Sequence, residues 1–240
     1  MKRLFLTLFL TFLSIQVQAA EFFKDRTPLP FEKGALMERW STIGGYSIYT
    51  GGEQWRILDV QSHNGRASGD ADSISRGTVT LVHMDSNGLF QAAMWVTTNL
   101  TYTGKDQFVT GSPCAGEHIV AINKGRGRED NCMTIDAVGV PDGQKDITLF
   151  DIRIVNFKSS GRSYVLMIRI ADNALNFSNT TPADWSASGQ EASPERKALI
   201  ARMRSWAESL QDASIKALDF SKPQDAFDHI PSYKSLISSP

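Results

Sequence analysis

Cysteine is nearly absent, with two in 240 residues. That excludes a disulfide-dense miniature scaffold and any zinc site assembled from several thiolates. Neither sign of charge dominates: 25 Lys+Arg stand against 26 Asp+Glu, a formal charge of −1. A nucleic-acid-binding chain declares itself by basic excess and a solvating tail by acidic excess, and neither is present. Beyond the first twenty residues no apolar run approaches the ~20 residues of a spanning helix. Local catalytic signatures are missing as well. The sequence holds no G-x-S-x-G elbow, no Ser three residues before a Lys, no H-E-x-x-H, no P-loop and no G-x-G-x-x-G. The last absence limits less than the others, because a triad is assembled in space and needs no contiguous motif.

What is present begins with an address. Lys2 and Arg3 precede an apolar stretch from Leu4 to Leu13, and Val17-Gln18-Ala19 supplies small residues at the positions before a cut. This three-part layout predicts a signal peptide over residues 1–19, cleaved after Ala19. Polar Ser14, Gln16 and Gln18 end the apolar run too early for an anchor. The expectation is therefore a periplasmic or secreted protein without membrane insertion after cleavage. In such a compartment Cys114 and Cys132 have only each other to pair with, and a disulfide between them is expected.

Residues 20–240 read as a single domain with a β-rich body over 41–171. A short helical stretch is expected around Ala35 to Trp40. Strands are then expected over 44–49, 54–60, 77–84, 89–98, 118–123, 132–138, 147–158 and 163–171, where apolar and β-branched residues cluster or alternate. Asp85-Ser86-Asn87-Gly88 is a hairpin signal, since Asn and Gly both tolerate positive φ. Residues 62–75, rich in Ser, Gly, Asn and Asp, read as a long loop. Hairpin-length links favour an antiparallel meander over βαβ units. Ser193-Pro194 opens a helix to 218, with Ser as N-cap and Pro at the first helical position. Leu199, Met203, Trp206, Leu210, Ala213 and Ala217 form one stripe, with Lys197, Arg204, Glu208 and Gln211 opposite. The predicted class is α+β: a predominantly antiparallel sheet covered by one long C-terminal amphipathic helix. The tail from Phe220, with Pro223, Pro231 and Pro240, is expected to wrap the surface.

Candidate chemistry is thin. His63 lies near Asp70 and Asp72 in sequence, types that suit a divalent cation. The run lacks an EF-hand's spacing, and a solvated loop explains it. His83 sits within a strand, His118 follows Glu117 at a strand start, and His229 lies in the tail. The most unusual local sequence is Lys124-Gly125-Arg126-Gly127-Arg128-Glu129-Asp130, between the two cysteines. Lys124, Arg126 and Arg128 are the candidate contact for an anionic ligand or partner, through guanidinium forks and backbone N–H groups. Glu129 and Asp130 oppose it. Asn99, Asn176 and Asn179 open glycosylation-type triplets, meaningful only in a host that uses them. No cofactor or metal ligand set is expected.

These features favour a non-enzymatic binding or interaction module for a protein, glycan or small ligand. One alternative is an envelope hydrolase or metal-dependent enzyme built from dispersed residues such as His63, Asp70, Asp72 and His118. Another is an assembly protein that docks a partner through its C-terminal helix.

Overall fold

The computed structural model describes residues 31–37, 42–43, 46–66, 73–100, 114–125, 130–142, 145–158, 162–218 and 226–237. Residues 1–19, where a signal peptide is expected, therefore lie outside the described residues. The strands are β1 (Leu36–Met37), β2 (Thr42–Ile43), β3 (Tyr46–Ser47), β4 (Trp55–Arg66), β5 (Ser73–Met84), β6 (Phe90–Asn99), β7 (Val120–Asn123), β8 (Asp130–Asp142), β9 (Lys145–Phe157) and β10 (Ser163–Ala171). Two helices follow, the short α1 (Ala187–Glu191) and the long α2 (Pro194–Ala217). Single 3-10 turns occupy Asp172–Leu175, Pro182–Trp185 and Tyr233–Leu236.

Eight strands form one antiparallel sheet in the order β1-β4-β5-β6-β10-β9-β8-β7, and β2 pairs with β3 separately. Two meanders, β4-β5-β6 and β7-β8-β9-β10, are thus joined where β10 returns to β6, with Leu166 opposite Val96. The α+β class is as the periodicities imply. The meander is interrupted once, because β7 starts at the far edge rather than beside β6.

One sheet face is continuous hydrocarbon. Ile57, Val79, Leu81, Met94, Val96, Leu166, Ile168, Ile170, Ile152, Ile154, Met133 and Ile135 are all buried on it. Helix α2 lies across this face. Ser193 accepts a hydrogen bond from the Arg196 N–H, and the whole predicted stripe is buried. Burial of Leu199 or Trp206 contributes roughly 1.5–3 kcal/mol each. The apolar stripe is therefore buried within the fold, against the sheet and, at Trp206, against Tyr49 and the Pro231 carbonyl. Gln211 departs from expectation: it is fully buried and donates to the Asn131 carbonyl. Ser214 Oγ similarly accepts from Asn156 and donates to the Gln211 carbonyl. These bonds fasten the helix to β8 and β9.

Five sequence expectations are revised. Leu36–Met37 is strand rather than helix, because this segment pairs with the edge of β4, with Leu36 opposite Arg56. The 62–75 loop is mostly hairpin: His63 pairs with Arg76 and Arg66 with Ser73, and only residues 67–72 lie outside the described residues. Composition reports burial, and a ladder held by backbone bonds continues past the buried part. The hairpin at Asp85–Gly88 forms as expected, joining β5 to β6, but only Gly88 in it takes positive φ, 78°. The Asp85 carboxylate instead accepts from the Asn87 and Leu89 N–H groups at 2.8 Å. The tail, finally, is core: Phe227, Ile230, Tyr233 and Leu236 are buried. Asn99 is buried too, accepting from the Ser163 N–H at 2.9 Å, which removes it as a glycan acceptor.

Candidate functional site

Strand β7 is only four residues long and begins opposite Ile135, so among the described residues β8 beyond that point has no strand on its outer side. A cleft of about 540 Å3 opens there. One wall is the segment entering β7, with Glu117, His118 and Ile119. Asp136 and Ala137 of β8 form the floor. The facing wall is helical and includes Pro182, Trp185, Gln190, Glu191 and Lys197. That wall is rigid for identifiable reasons. The Trp185 indole packs edge-on against Phe150 at 4.6 Å and Phe177 at 5.0 Å. Its Nε1 donates to Thr180, and Asp184 closes a capping box with Thr181 while pairing with Arg196 at 2.9 Å. The Thr181 hydrogen bonds, backbone then side chain, hold the Asp184 carboxyl below the usual carboxylate range.

His118 and Asp136 meet in this cleft. Nδ1 lies 3.0 and 2.9 Å from the two carboxylate oxygens, so the Nδ1–H donates to Asp136. Nε2 is buried and has no hydrogen-bond partner among the described residues. The segment itself shields it, since a Cβ on Gly116 (φ 130°) would stand 3.5 Å from Nε2. Glu117, Glu191 and Lys197 are exposed and make no ion pair among the described residues. Ser186 Oγ, a possible nucleophile by type, is committed as a cap: it accepts from Gly189 N–H and donates to the Ala183 carbonyl.

The disulfide joins Cys114 to Cys132, closing 18 residues. The remaining sequence candidates do not converge. Lys124 Nζ is 2.7 Å from Asp212 on α2, so its charge is already answered. Arg126 and Arg128 lie outside the described residues, as do Asp70, Asp72 and the His63 side chain. No group of three or more His, Cys, Asp or Glu among the described residues is placed to hold a metal ion. His229 is exposed in a turn. His83 is buried at the opposite end of the sheet, its Nδ1 donating to the Gln54 carbonyl at 3.0 Å.

Asp136, Glu191 and Lys197 were not visible as site residues, because nothing in their local sequence separates them from a solvated strand or helix. One signal was on the page. Cys-Ala-Gly-Glu-His and Cys-Met-Thr-Ile-Asp place His118 and Asp136 at the same offset from the two cysteines. Comparison with protein-family models, characterised proteins and solved structures gives no match for this chain. No helix among the described residues is long and apolar enough to cross a membrane.

Proposed function

We propose that this is an exported binding module whose ligand is a small molecule bearing a protonated amine, seated in the cleft beside His118. The opening residues 1–19 and the disulfide support export. The cleft's size lies within the roughly 300–1,000 Å3 range of small-molecule sites, with apolar surface from Ala137, Pro182 and Trp185 and a few polar groups to orient the ligand. The observation that carries the ligand class is the charge of the lining. Glu117, Asp136 and Glu191 face one ammonium, that of Lys197. Carboxylates remain in excess whether the His118 ring is neutral or charged, so an anion is repelled in either state. Ser186 is engaged as a cap, which favours binding over nucleophilic chemistry.

The test is an amide-resonance titration with butylamine, butyrate and glucose at equal concentration. Butylamine is expected to move Glu117–Ile119 and Gln190–Glu191, and to lose that effect in Glu117→Gln/Glu191→Gln. Movement by butyrate alone overturns the ligand class, and no movement by any of the three overturns the cleft as the site. Export is checked by the mass of the mature chain, expected to begin at Ala20.

A further inference from the structure

Between the segment entering β7 and strand β8 there are two cross-links at matched positions. Cys114 is bonded to Cys132, and four residues later in both segments His118 is paired with Asp136. Side chains four apart on a strand share a face. Cys132 and Asp136 therefore lie on the sheet face opposite Met133 and Ile135, which point toward α2. The chain from 114 to 118 runs alongside β8 in the same direction, turns at its edge, and returns antiparallel as β7, with Val120 opposite Ile135 and Asn123 opposite Cys132. Cys132 and Thr134, at and between the two cross-links, are buried, although much of that sheet face is half-exposed. The segment thus lies folded over the edge of β8, held by one covalent and one ionic rung.

We propose that the Cys114–Cys132 bond positions His118 against Asp136 and makes the cleft wall redox-dependent. The proposal rests on the cleft being the ligand site only for its effect on binding. The ionic rung is partly open to water, with Asp136 about one-third exposed, and such a pair alone holds a segment weakly. The covalent rung confines the chain to the neighbourhood of β8 and so raises the effective concentration of His118 at Asp136. The co-reactant is a dithiol. Its thiolate attacks Cys114 Sγ, the more exposed sulfur, and Cys132 leaves as a thiolate that takes up a proton. The second thiol then attacks the mixed disulfide, Cys114 is released as a thiol, and the dithiol ends oxidised by two electrons. With the bond open, residues 114–119 are held by the ionic rung alone and the wall carrying Glu117 and His118 loosens.

The experiment compares the oxidised protein, the protein reduced with dithiothreitol, and Cys114→Ser/Cys132→Ser. Three quantities are read: amide exchange at Gly116–Ile119 against α2, the His118 Nδ1–H signal, and butylamine-induced shifts. Opening the bond is expected to speed exchange at Gly116–Ile119 by about ten-fold or more while α2 changes far less. The Nδ1–H signal is expected to disappear and the butylamine shifts to weaken. An unchanged Nδ1–H signal and unchanged exchange overturn the proposal. Equal acceleration in α2 also overturns it, because the bond then stabilises the whole domain rather than positioning His118. His118→Ala in the oxidised protein cuts the ionic rung alone, and exchange at Gly116–Ile119 is expected to stay within about two-fold of the parent. If the oxidised protein ignores butylamine, the cleft reading fails by itself, since exchange and the Nδ1–H signal still decide the positioning role.

Discussion

Two histidines in this protein sit beside a carboxylate, and they have opposite fates. His83 lies where the C-terminal segment closes over the end of β4 and β5. Tyr233 packs edge-on against its ring at 6.0 Å and Trp55 at 5.8 Å. Glu53, 3.9 Å from its Nε2, is itself held by Ser232 and by Lys234 at 2.8 Å. His118 lies where a strand stops short, with one nitrogen on Asp136, the other lacking a partner among the described residues, and a cleft alongside. The same two residue types thus make a packed joint in one place and a site wall in the other. The difference is what else arrives: at His83 a tail segment fills the space, and at His118 nothing described does.

Substitutions should separate the two. The largest loss is expected from Tyr233→Ala, about 3–5 kcal/mol in denaturant unfolding, because it removes a buried ring shared by Trp55 and His83. Tyr233→Phe should be neutral or slightly stabilising, since its hydroxyl is buried without a partner. If Tyr233→Phe costs as much as Tyr233→Ala, the joint is held by that hydroxyl and not by packing.

Next comes the matched pair of histidine truncations. His83→Ala should cost about 2–3 kcal/mol, as it strands the Gln54 carbonyl and leaves a void between two rings. His118→Ala should cost about 1 kcal/mol or less, because Asp136 regains water. Equal costs would erase the distinction between joint and site.

Acid should act on the packed joint first. Burial and then the Lys234 charge hold the His83 pKa below its ordinary 6.5. A depressed histidine pKa means the unfolded chain binds the proton more readily, so stability is full above the unfolded value and falls as pH drops below about 6.5. Burial raises Glu53, but hydrogen bonds from Lys234 and Ser232 and the charges of Lys234 and His83 outweigh it, leaving its carboxyl below the ordinary 4.5. Its contribution is present above that value and is lost as pH falls further. Unfolding midpoints from pH 7 to 4 should decline in two stages, and His83→Gln should remove the first. A single decline below 4.5 that His83→Gln leaves unchanged would contradict this account.

The smallest effect belongs to Lys234→Ala. The ammonium is about half-exposed, so its bond to Glu53 contributes at most roughly 0.5 kcal/mol. A loss several times larger would mean that the charge, and not Tyr233, carries the closure.

The fold was legible where one residue pattern had one physical meaning. Alternation of Phe150, Ile152 and Ile154 on β9 matched a sheet with one apolar face, and the stripe from Leu199 to Ala217 matched a helix with one buried face. The helix start was equally determined, since Ser193 caps through its side-chain oxygen and Pro194 through its fixed φ, both local effects. The 62–75 hairpin was misread because its register continues the ladder that resumes at Asp59 opposite Thr80, and does not come from its own polar residues. The site was hidden for a related reason. Asp136 looks like any outward strand residue, and its role depends on β7 beginning only at Val120, opposite Ile135, with the segment carrying His118 beside it.

By itself the sequence determined local periodicity, the helix cap, and the single pairing open to two cysteines, because each depends on neighbours within a turn or on counting. Only the tertiary structure decided that β10 returns to β6, that the segment after Cys114 folds over the edge of β8, and that His83 is sealed while His118 borders a cleft. Those outcomes depend on which distant surfaces meet, and the free energy of such contacts is a property of the pair and not of either stretch alone.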